Sequence, residues 1–110
     1  MNLLVRKSPL FHTDVTQQFE WYFEKAGEKL AWRFFVGVDL TLLKLSRQAD
    51  LGRLRHFRNP SLHGLRSFRI EPPFERLQIF YRHEGGELIA ERLMHGSRDL
   101  PRRLIEPPGA

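Results

Sequence analysis

Residues 76–95, RLQIFYRHEGGELIAERLMH, contain two β-rich runs on either side of Gly85-Gly86. Two glycines between such runs are typical of a two-residue β-hairpin turn, because that turn needs positive φ angles. A turn at this position fixes which residues oppose one another, and therefore which side of the sheet each side chain occupies. The stretch predicts an antiparallel pair of strands and assigns its two faces.

The predicted register gives the hairpin an apolar face and a mixed face. The apolar face contains Leu77, Ile79, Tyr81, Leu88, Ala90, Arg92 and Met94. The mixed face contains Arg76, Gln78, Phe80, Arg82, Ile89, Glu91, Leu93 and His95. We expect helices to cover the apolar face, while the mixed face stays open for a partner. A three-residue turn would exchange the faces of the second strand and bring His95 inside, together with Glu91.

A third strand is predicted before the hairpin. LRSFRIE, residues 65–71, has a period of two, with Arg66, Phe68 and Ile70 on one side. Pro72-Pro73 ends this run, because proline cannot donate a hydrogen bond to a neighbouring strand. The three runs together predict an antiparallel meander.

The first half of the chain predicts a short strand near residues 3–5 and then two helices. Ser8-Pro9 is typical of a helix start, and Gly27 of a helix end. Between them, apolar residues recur at helical spacing: Phe11, Val15, Phe19, Tyr22 and Ala26. We predict helices over 9–26 and 28–45, and the short connection between them makes an antiparallel hairpin.

The second helix is apolar on two sides. One stripe contains Ala31, Phe34, Phe35, Val38, Leu42 and Leu45, and the other contains Trp32, Val36, Leu40 and Leu43. A helix of this kind is either enclosed within its own domain or bound to another chain. Because the domain is small, we expect the second stripe to bind another chain.

Length and composition are those of one folded domain. The 110 residues, 41% of them hydrophobic and 28% charged, predict a single domain over 1–110 with a frayed tail from 105. The absence of cysteine excludes disulfides and thiol catalysis and fits a cytoplasmic location. The first eleven residues do not resemble a signal peptide, and no apolar run is long enough to cross a bilayer.

The net charge of +5 comes from one segment, residues 47–70, which has six arginines and one acidic residue. Arginine holds phosphate or carboxylate in a planar, two-pronged contact. The segment indicates either an anionic partner or simply a well-solvated surface. No predicted helix carries a basic face, so we do not expect this chain to bind DNA directly.

The predicted order is β-α-α-β-β-β with a short C-terminal turn or helix, an α+β domain in which a helical hairpin covers a mainly antiparallel sheet. Together with GLRSFRI (64–70), RLQIFYR (76–82) and LMHGSRDLPRRL (93–104), this order resembles the RelE/ParE superfamily of bacterial toxins from type II toxin–antitoxin modules. The His-Gly-x-Arg-Asp sequence at 95–99 is similar to the ParE, or plasmid stabilisation, branch.

The resemblance implies a growth-inhibiting toxin that is neutralised by an antitoxin. Any DNA binding by such a module would then belong to the antitoxin. The second stripe, Trp32, Val36, Leu40 and Leu43, is the predicted antitoxin-binding surface, because an amphipathic helix docks on such a row. Homodimerisation through the same stripe is the alternative.

The resemblance leaves two targets open. ParE-like members are similar to inhibitors of DNA gyrase that perform no chemistry, whereas RelE-like members are similar to ribosome-dependent mRNA endoribonucleases. A nuclease needs a base, an acid and cations around one phosphate. The candidates here are Arg69, Arg82, His95 and Arg98.

The tyrosine that RelE-like enzymes commonly place near the C terminus is absent, since Tyr22 and Tyr81 both lie on predicted apolar faces. We therefore expect a gyrase inhibitor that acts by protein–protein contact and performs no catalysis. The predicted target-binding residues lie on the open sheet face and the C-terminal segment: Arg69, Arg82, His95, Arg98, Arg102 and Arg103. No cofactor is expected, and no metal, because none of the five histidines has a metal-ligand spacing.

Overall fold

The computed structural model describes residues 2–96 and 100–107. The elements are β1 (Leu4–Lys7), α1 (Pro9–Ala26), α2 (Glu28–Arg47), β2 (Arg53–Leu54), β3 (Arg66–Arg69), β4 (Leu77–Glu84), β5 (Glu87–His95) and α3 (Leu100–Ile105). Single-turn 3-10 helices flank β2 at Ala49–Leu51 and Pro60–Leu62. The strands form one sheet in the order β1-β5-β4-β3-β2, in which β1 runs parallel to β5 and the other neighbours are antiparallel. The predicted α+β fold is confirmed, with β2 as an additional strand.

Local signals in the sequence determine the helical hairpin. The Ser8 hydroxyl accepts a hydrogen bond from the backbone N–H of Phe11 at 3.0 Å, which caps the first turn of α1. Gly27 has a φ of 97° and separates α1 from α2. The predicted bounds of α1 are confirmed, and α2 continues two residues beyond the predicted end at Leu45. Among the described residues, no helix is long and apolar enough to span a membrane.

Two apolar clusters cover the two faces of the sheet. The main core lies between the helices and the sheet, and its largest buried residues include Phe11, Phe34, Leu45, Ile70, Leu77, Ile79, Tyr81 and Leu88. The second cluster contains Leu62, Leu65, Phe80, Met94, Leu100 and Leu104. The prediction of an open second face is therefore wrong around Phe80, because the loop before β3 and the helix α3 cover it with apolar side chains.

The hairpin between β4 and β5 turns as predicted but shifts register further along. Gly85 and Gly86 have φ values of 56° and 82°, and Tyr81 opposes Ala90 as expected. Beyond that pair the register shifts, so that Phe80 opposes Arg92 and Leu77 opposes His95. Glu91 is the extra residue of a β-bulge.

The bulge corrects the predicted faces of residues 92–95. Leu93 belongs to the main core, Met94 belongs to the second cluster, and His95 shares the helix side of the sheet with Leu77. The prediction that His95 lies on the mixed face is therefore wrong. The shift also removes Arg92 from the apolar face, where an arginine would cost free energy unless its charge were paired.

The edge of β5 explains how the bulge is tolerated. β1 ends at Lys7, so it does not cover the last part of β5. There the Ser8 hydroxyl donates to the Glu91 carbonyl at 2.7 Å, and the Asp14 carboxylate accepts the Leu93 N–H at 2.9 Å. Side chains thus satisfy backbone groups that would otherwise be buried without partners.

Candidate functional site

The second stripe of α2 is exposed. Trp32, Val36 and Leu40 are 51–52% exposed, and Leu43 is 44% exposed. The first three line a groove of about 790 Å³ between α2 and the connection from β3 to β4. The prediction that this stripe remains uncovered within the domain is confirmed.

Polar contacts hold the far wall of this groove against α2. The Thr41 hydroxyl accepts a hydrogen bond from the Glu71 N–H at 3.2 Å, and the Lys44 ammonium lies 3.7 Å from the Glu71 carboxylate. Pro72 and Phe74 follow on the same wall. Because the wall is fixed, the groove exists before any partner binds.

Aromatic side chains extend the apolar surface onto α1. The Trp32 ring lies 4.9 Å from the Phe19 ring and 5.8 Å from the Phe35 ring, measured between centroids. Phe35 was predicted to lie on the core stripe, but it is 39% exposed and belongs to this surface. Phe23, 49% exposed, continues the surface along α1.

A second concave region, the sheet-end cavity, lies where β4 begins and β5 ends. It has a volume of about 660 Å³ and is also bordered by α1 and the end of α3. Its polar lining residues include Gln17, Gln18, Arg76, His95, Arg103 and Glu106. Trp21 and Tyr22 contribute aromatic rings from α1.

A buried ion pair forms one wall of the sheet-end cavity. Arg92 and Asp14 make two hydrogen bonds of 2.8 and 3.1 Å, and their side chains are only 6% and 7% exposed. The Arg92 guanidinium also donates to the carbonyls of Arg103, Leu104 and Glu106. Arg92 therefore joins α1 to the end of α3, and its hydrogen-bonding groups are used within the fold.

Comparison with known proteins gives a structural match. No protein-family model matches the sequence, and neither does any curated protein sequence. A chain in the solved structure of the chromosomal ParDE toxin–antitoxin system from P. aeruginosa is similar, with a TM-score of 0.69 and 17% sequence identity. The match covers 86% of this chain and 97% of that one. The chain has a RelE/ParE-like fold.

In this RelE/ParE-like fold, two of the six predicted target-binding residues meet at the sheet-end cavity. His95 and Arg103 both line it and both are exposed. Arg102, on the same helix as Arg103, lies 3.6 Å from the Glu106 carboxylate. Arg98 lies outside the described residues.

The other two predicted residues lie elsewhere. Arg69 is exposed on β3 beside Gln78, on the side of the sheet away from α1 and α2. Arg82 donates hydrogen bonds to the carbonyls of Ser61 and His63, so it holds the loop that covers the second face. Its guanidinium also lies 3.7 Å from Glu91.

The fold does not bring together the three described candidate nuclease residues, Arg69, Arg82 and His95. Arg69 and Arg82 lie on the second face of the sheet, whereas the register places His95 on the helix side with Leu77. Of the described members, therefore, His95 is separated from both arginines by the sheet itself.

Both tyrosines interact with other residues of the fold. The Tyr81 hydroxyl donates to the Ala49 carbonyl at 2.6 Å and accepts from the Gly52 N–H at 2.9 Å. Burial raises the pKa of Tyr81 above its ordinary value of 10.0. Burial also raises the pKa of Tyr22, and a hydrogen bond with Gln18 acts in the opposite direction. Both phenols therefore keep their protons at neutral pH.

Sequence reasoning missed the contribution of α1 to the sheet-end cavity. Gln17 and Gln18 each lie three or four residues from both Asp14 and Trp21, so the four residues share one side of the helix. The sequence signal for this contribution is a tryptophan among the polar positions of α1. In the structure Trp21 is 52% exposed. Arg76 was assigned to the mixed sheet face, but it lines the cavity just before β4 begins.

Proposed function

We propose that this protein is the toxin of a type II toxin–antitoxin module and that an antitoxin neutralises it by binding the groove on α2. The observation that carries the proposal is the exposed row of Trp32, Val36 and Leu40 in a RelE/ParE-like fold. A soluble domain rarely exposes a contiguous apolar surface without a partner. The similar chain from P. aeruginosa comes from a toxin–antitoxin system, which supports the same role here.

The groove fits an amphipathic helix better than an extended peptide. Its apolar side chains follow one helix at intervals of four residues, so a second helix can pack along them. The β-strand mode of binding needs an unpaired sheet edge instead, and the groove has none among the residues that line it. Lys29 and Arg33 at the rim can pair with acidic residues of the partner, and Glu28 can pair with a basic one.

The proposed target is DNA gyrase, reached by protein–protein contact. Cutting RNA requires an acid, a base and cations around one phosphate. In the described part of the chain, Tyr81 is in the core, Arg82 binds loop carbonyls, and His95 is apart from both arginines. This arrangement supports contact rather than chemistry. The contact surface would include His95 and Arg103 at the sheet-end cavity, with Arg102 on the same helix as Arg103.

Two parallel assays on the purified protein test the target. One measures inhibition of gyrase supercoiling, and the other measures ribosome-dependent cleavage of mRNA. We expect inhibition without cleavage, and we expect the double variant His95→Ala, Arg103→Ala to need a higher concentration for the same inhibition. Cleavage without inhibition would overturn the gyrase proposal in favour of a ribonuclease. Activity in neither assay would contradict both targets.

A further inference from the structure

The sheet-end cavity has the dimensions of a small-molecule site. Its volume of about 660 Å³ lies within the range of roughly 300–1,000 Å³ that is typical of ligand pockets. The lining combines aromatic rings, side-chain amides and guanidinium groups. From these features we propose that the cavity binds a nucleoside phosphate. This binding is separate from the proposed neutralisation by an antitoxin and from the proposed contact with gyrase.

The uncompensated charge at the cavity is positive. The Asp14 carboxylate is already bound by Arg92, and the Glu106 carboxylate lies 3.6 Å from Arg102. Within residues 2–96 and 100–107, the guanidinium groups of Arg76 and Arg103 form no ion pair or hydrogen bond, and both residues are exposed. Two free guanidinium groups at one cavity favour an anion with several oxygens, which a phosphate provides.

The aromatic residues on α1 provide a surface for a planar base. Trp21 is 52% exposed, and its ring contacts the Tyr22 ring in a T-shaped arrangement with centroids 5.3 Å apart. Tyr22 thereby supports the indole, and the exposed part of the indole remains available for stacking. Base–aromatic stacking tolerates every base, so this surface alone does not select one.

Two amides complete the match to a nucleobase. Gln17 is exposed on the same side of α1 as Trp21, one turn away, and Gln18 lies beside Tyr22. A glutamine amide both donates and accepts hydrogen bonds, as the edges of nucleobases do. An acidic peptide would use the two arginines but not the combination of ring and amides. The lining therefore favours a nucleoside phosphate, either free or as an unpaired residue of a strand.

Fluorescence of Trp21 gives a direct test. The chain has two tryptophans, so Trp32→Phe leaves Trp21 as the sole indole. Titration of this variant with AMP should quench the emission with a saturating curve, and adenosine and inorganic phosphate should each bind more weakly than AMP. Arg76→Gln and Arg103→Gln, introduced separately, should each weaken AMP binding by about tenfold. Arg58→Gln, an exposed arginine in the loop before β3, is the control and should leave the affinity unchanged.

A short single-stranded oligonucleotide distinguishes the two sources of the ligand. Binding much tighter than that of AMP would assign the cavity to a strand, and equal binding would assign it to a free nucleotide. Lack of saturable quenching by either probe would overturn the proposal, and so would quenching that neither arginine substitution weakens. Trp21→Leu with Trp32 intact provides a second measurement, since AMP should no longer raise its Tm. Antitoxin binding by the Arg76→Gln variant should remain unchanged, which separates this proposal from the one for the groove.

Discussion

At the scale of single residues, a few buried polar side chains determine how the two ends of the chain meet. Arg92 makes five hydrogen bonds, two to Asp14 and three to carbonyls at the end of α3. Asp14 also accepts the N–H of Leu93 next to the bulge. One carboxylate on α1 therefore supports the end of β5 directly and α3 through Arg92.

The Asp14 carboxylate should stabilise the folded state by several kcal/mol. Asp14→Ala leaves the Arg92 charge buried without its partner, so we expect the free energy of unfolding to fall by about 3–5 kcal/mol. Urea denaturation measures this. Asp39→Ala is the matched control, because Asp39 is half exposed, lies 3.5 Å from Lys7 and should cost no more than about 1 kcal/mol. Equal losses of unfolding free energy in the two variants would show that the buried ion pair stabilises the fold no more than the exposed one does.

Tyr81 should make stability depend on pH in the alkaline range. Burial raises its pKa in the folded protein above 10.0, so the folded state holds the phenolic proton more tightly than the unfolded state. The resulting stabilisation is complete below pH 10 and is lost as the pH rises through the folded pKa. We expect Tyr81→Phe to flatten this decline, measured as the urea midpoint from pH 9 to about pH 11. An unchanged decline would contradict the assignment to Tyr81.

The same variant has an effect at neutral pH. Tyr81→Phe leaves the Ala49 carbonyl and the Gly52 N–H without their partner, which should cost about 1–3 kcal/mol. The hydroxyl also explains why residue 52 is glycine. A Cβ there would lie 2.4 Å from the Tyr81 oxygen, which is closer than any side chain tolerates.

At the scale of elements, the sequence predicts those parts whose signals are local. Ser8-Pro9, Gly27 and Gly85-Gly86 act within a few residues, so the bounds of α1 and the position of the hairpin turn are confirmed. The bulge at Glu91 depends instead on Ser8 and Asp14, about eighty residues away in the chain. No pattern within β5 shows that these partners exist, so the faces beyond the bulge could not be predicted.

The second apolar cluster was missed for a related reason. Leu62 comes from a basic segment with loop markers, Leu65 begins the predicted third strand, and Leu100 and Leu104 come from a short helix near the C terminus. Each stretch has too few apolar residues to indicate a core by itself. These leucines form an apolar cluster only because the fold packs them together against Phe80 and Met94.

The packing of α3 should therefore contribute to stability. Leu104 is 4% exposed and lies in the second cluster, whereas its neighbour Ile105 is 55% exposed. We expect Leu104→Ala to lower the free energy of unfolding by about 2–5 kcal/mol, and Ile105→Ala to change it by no more than about 0.5 kcal/mol. Thermal unfolding of the two variants measures the difference. If both shift Tm equally, α3 does not cover the sheet in solution.

At the scale of the whole molecule, the two concave regions differ in how far the sequence could predict them. The groove on α2 is formed largely by one helix, so its stripe of Trp32, Val36, Leu40 and Leu43 could be recognised from periodicity. The sheet-end cavity collects residues from α1, β4, β5 and α3, which only the folded chain brings together. Of its lining, the sequence named His95 and Arg103 as target-binding residues and placed Arg76 on the mixed face of the sheet.

We propose that an antitoxin neutralises this protein by binding the groove on α2. The most direct measurement is growth of a bacterial host that expresses the protein with or without the short acidic antitoxin expected to be encoded beside it. We predict that the wild-type protein arrests growth and that the antitoxin restores it. The Trp32→Asp variant should arrest growth equally but resist rescue, because a charge in the groove opposes docking of an apolar helix face.

Leu4→Asp is the matched control, since Leu4 is an exposed apolar residue on β1 and does not line the groove. Circular dichroism of the purified variants confirms that each one folds. We expect rescue of the wild-type protein and of Leu4→Asp, and failure of rescue for Trp32→Asp alone. Full rescue of a folded, toxic Trp32→Asp variant would show that the antitoxin does not bind in the groove.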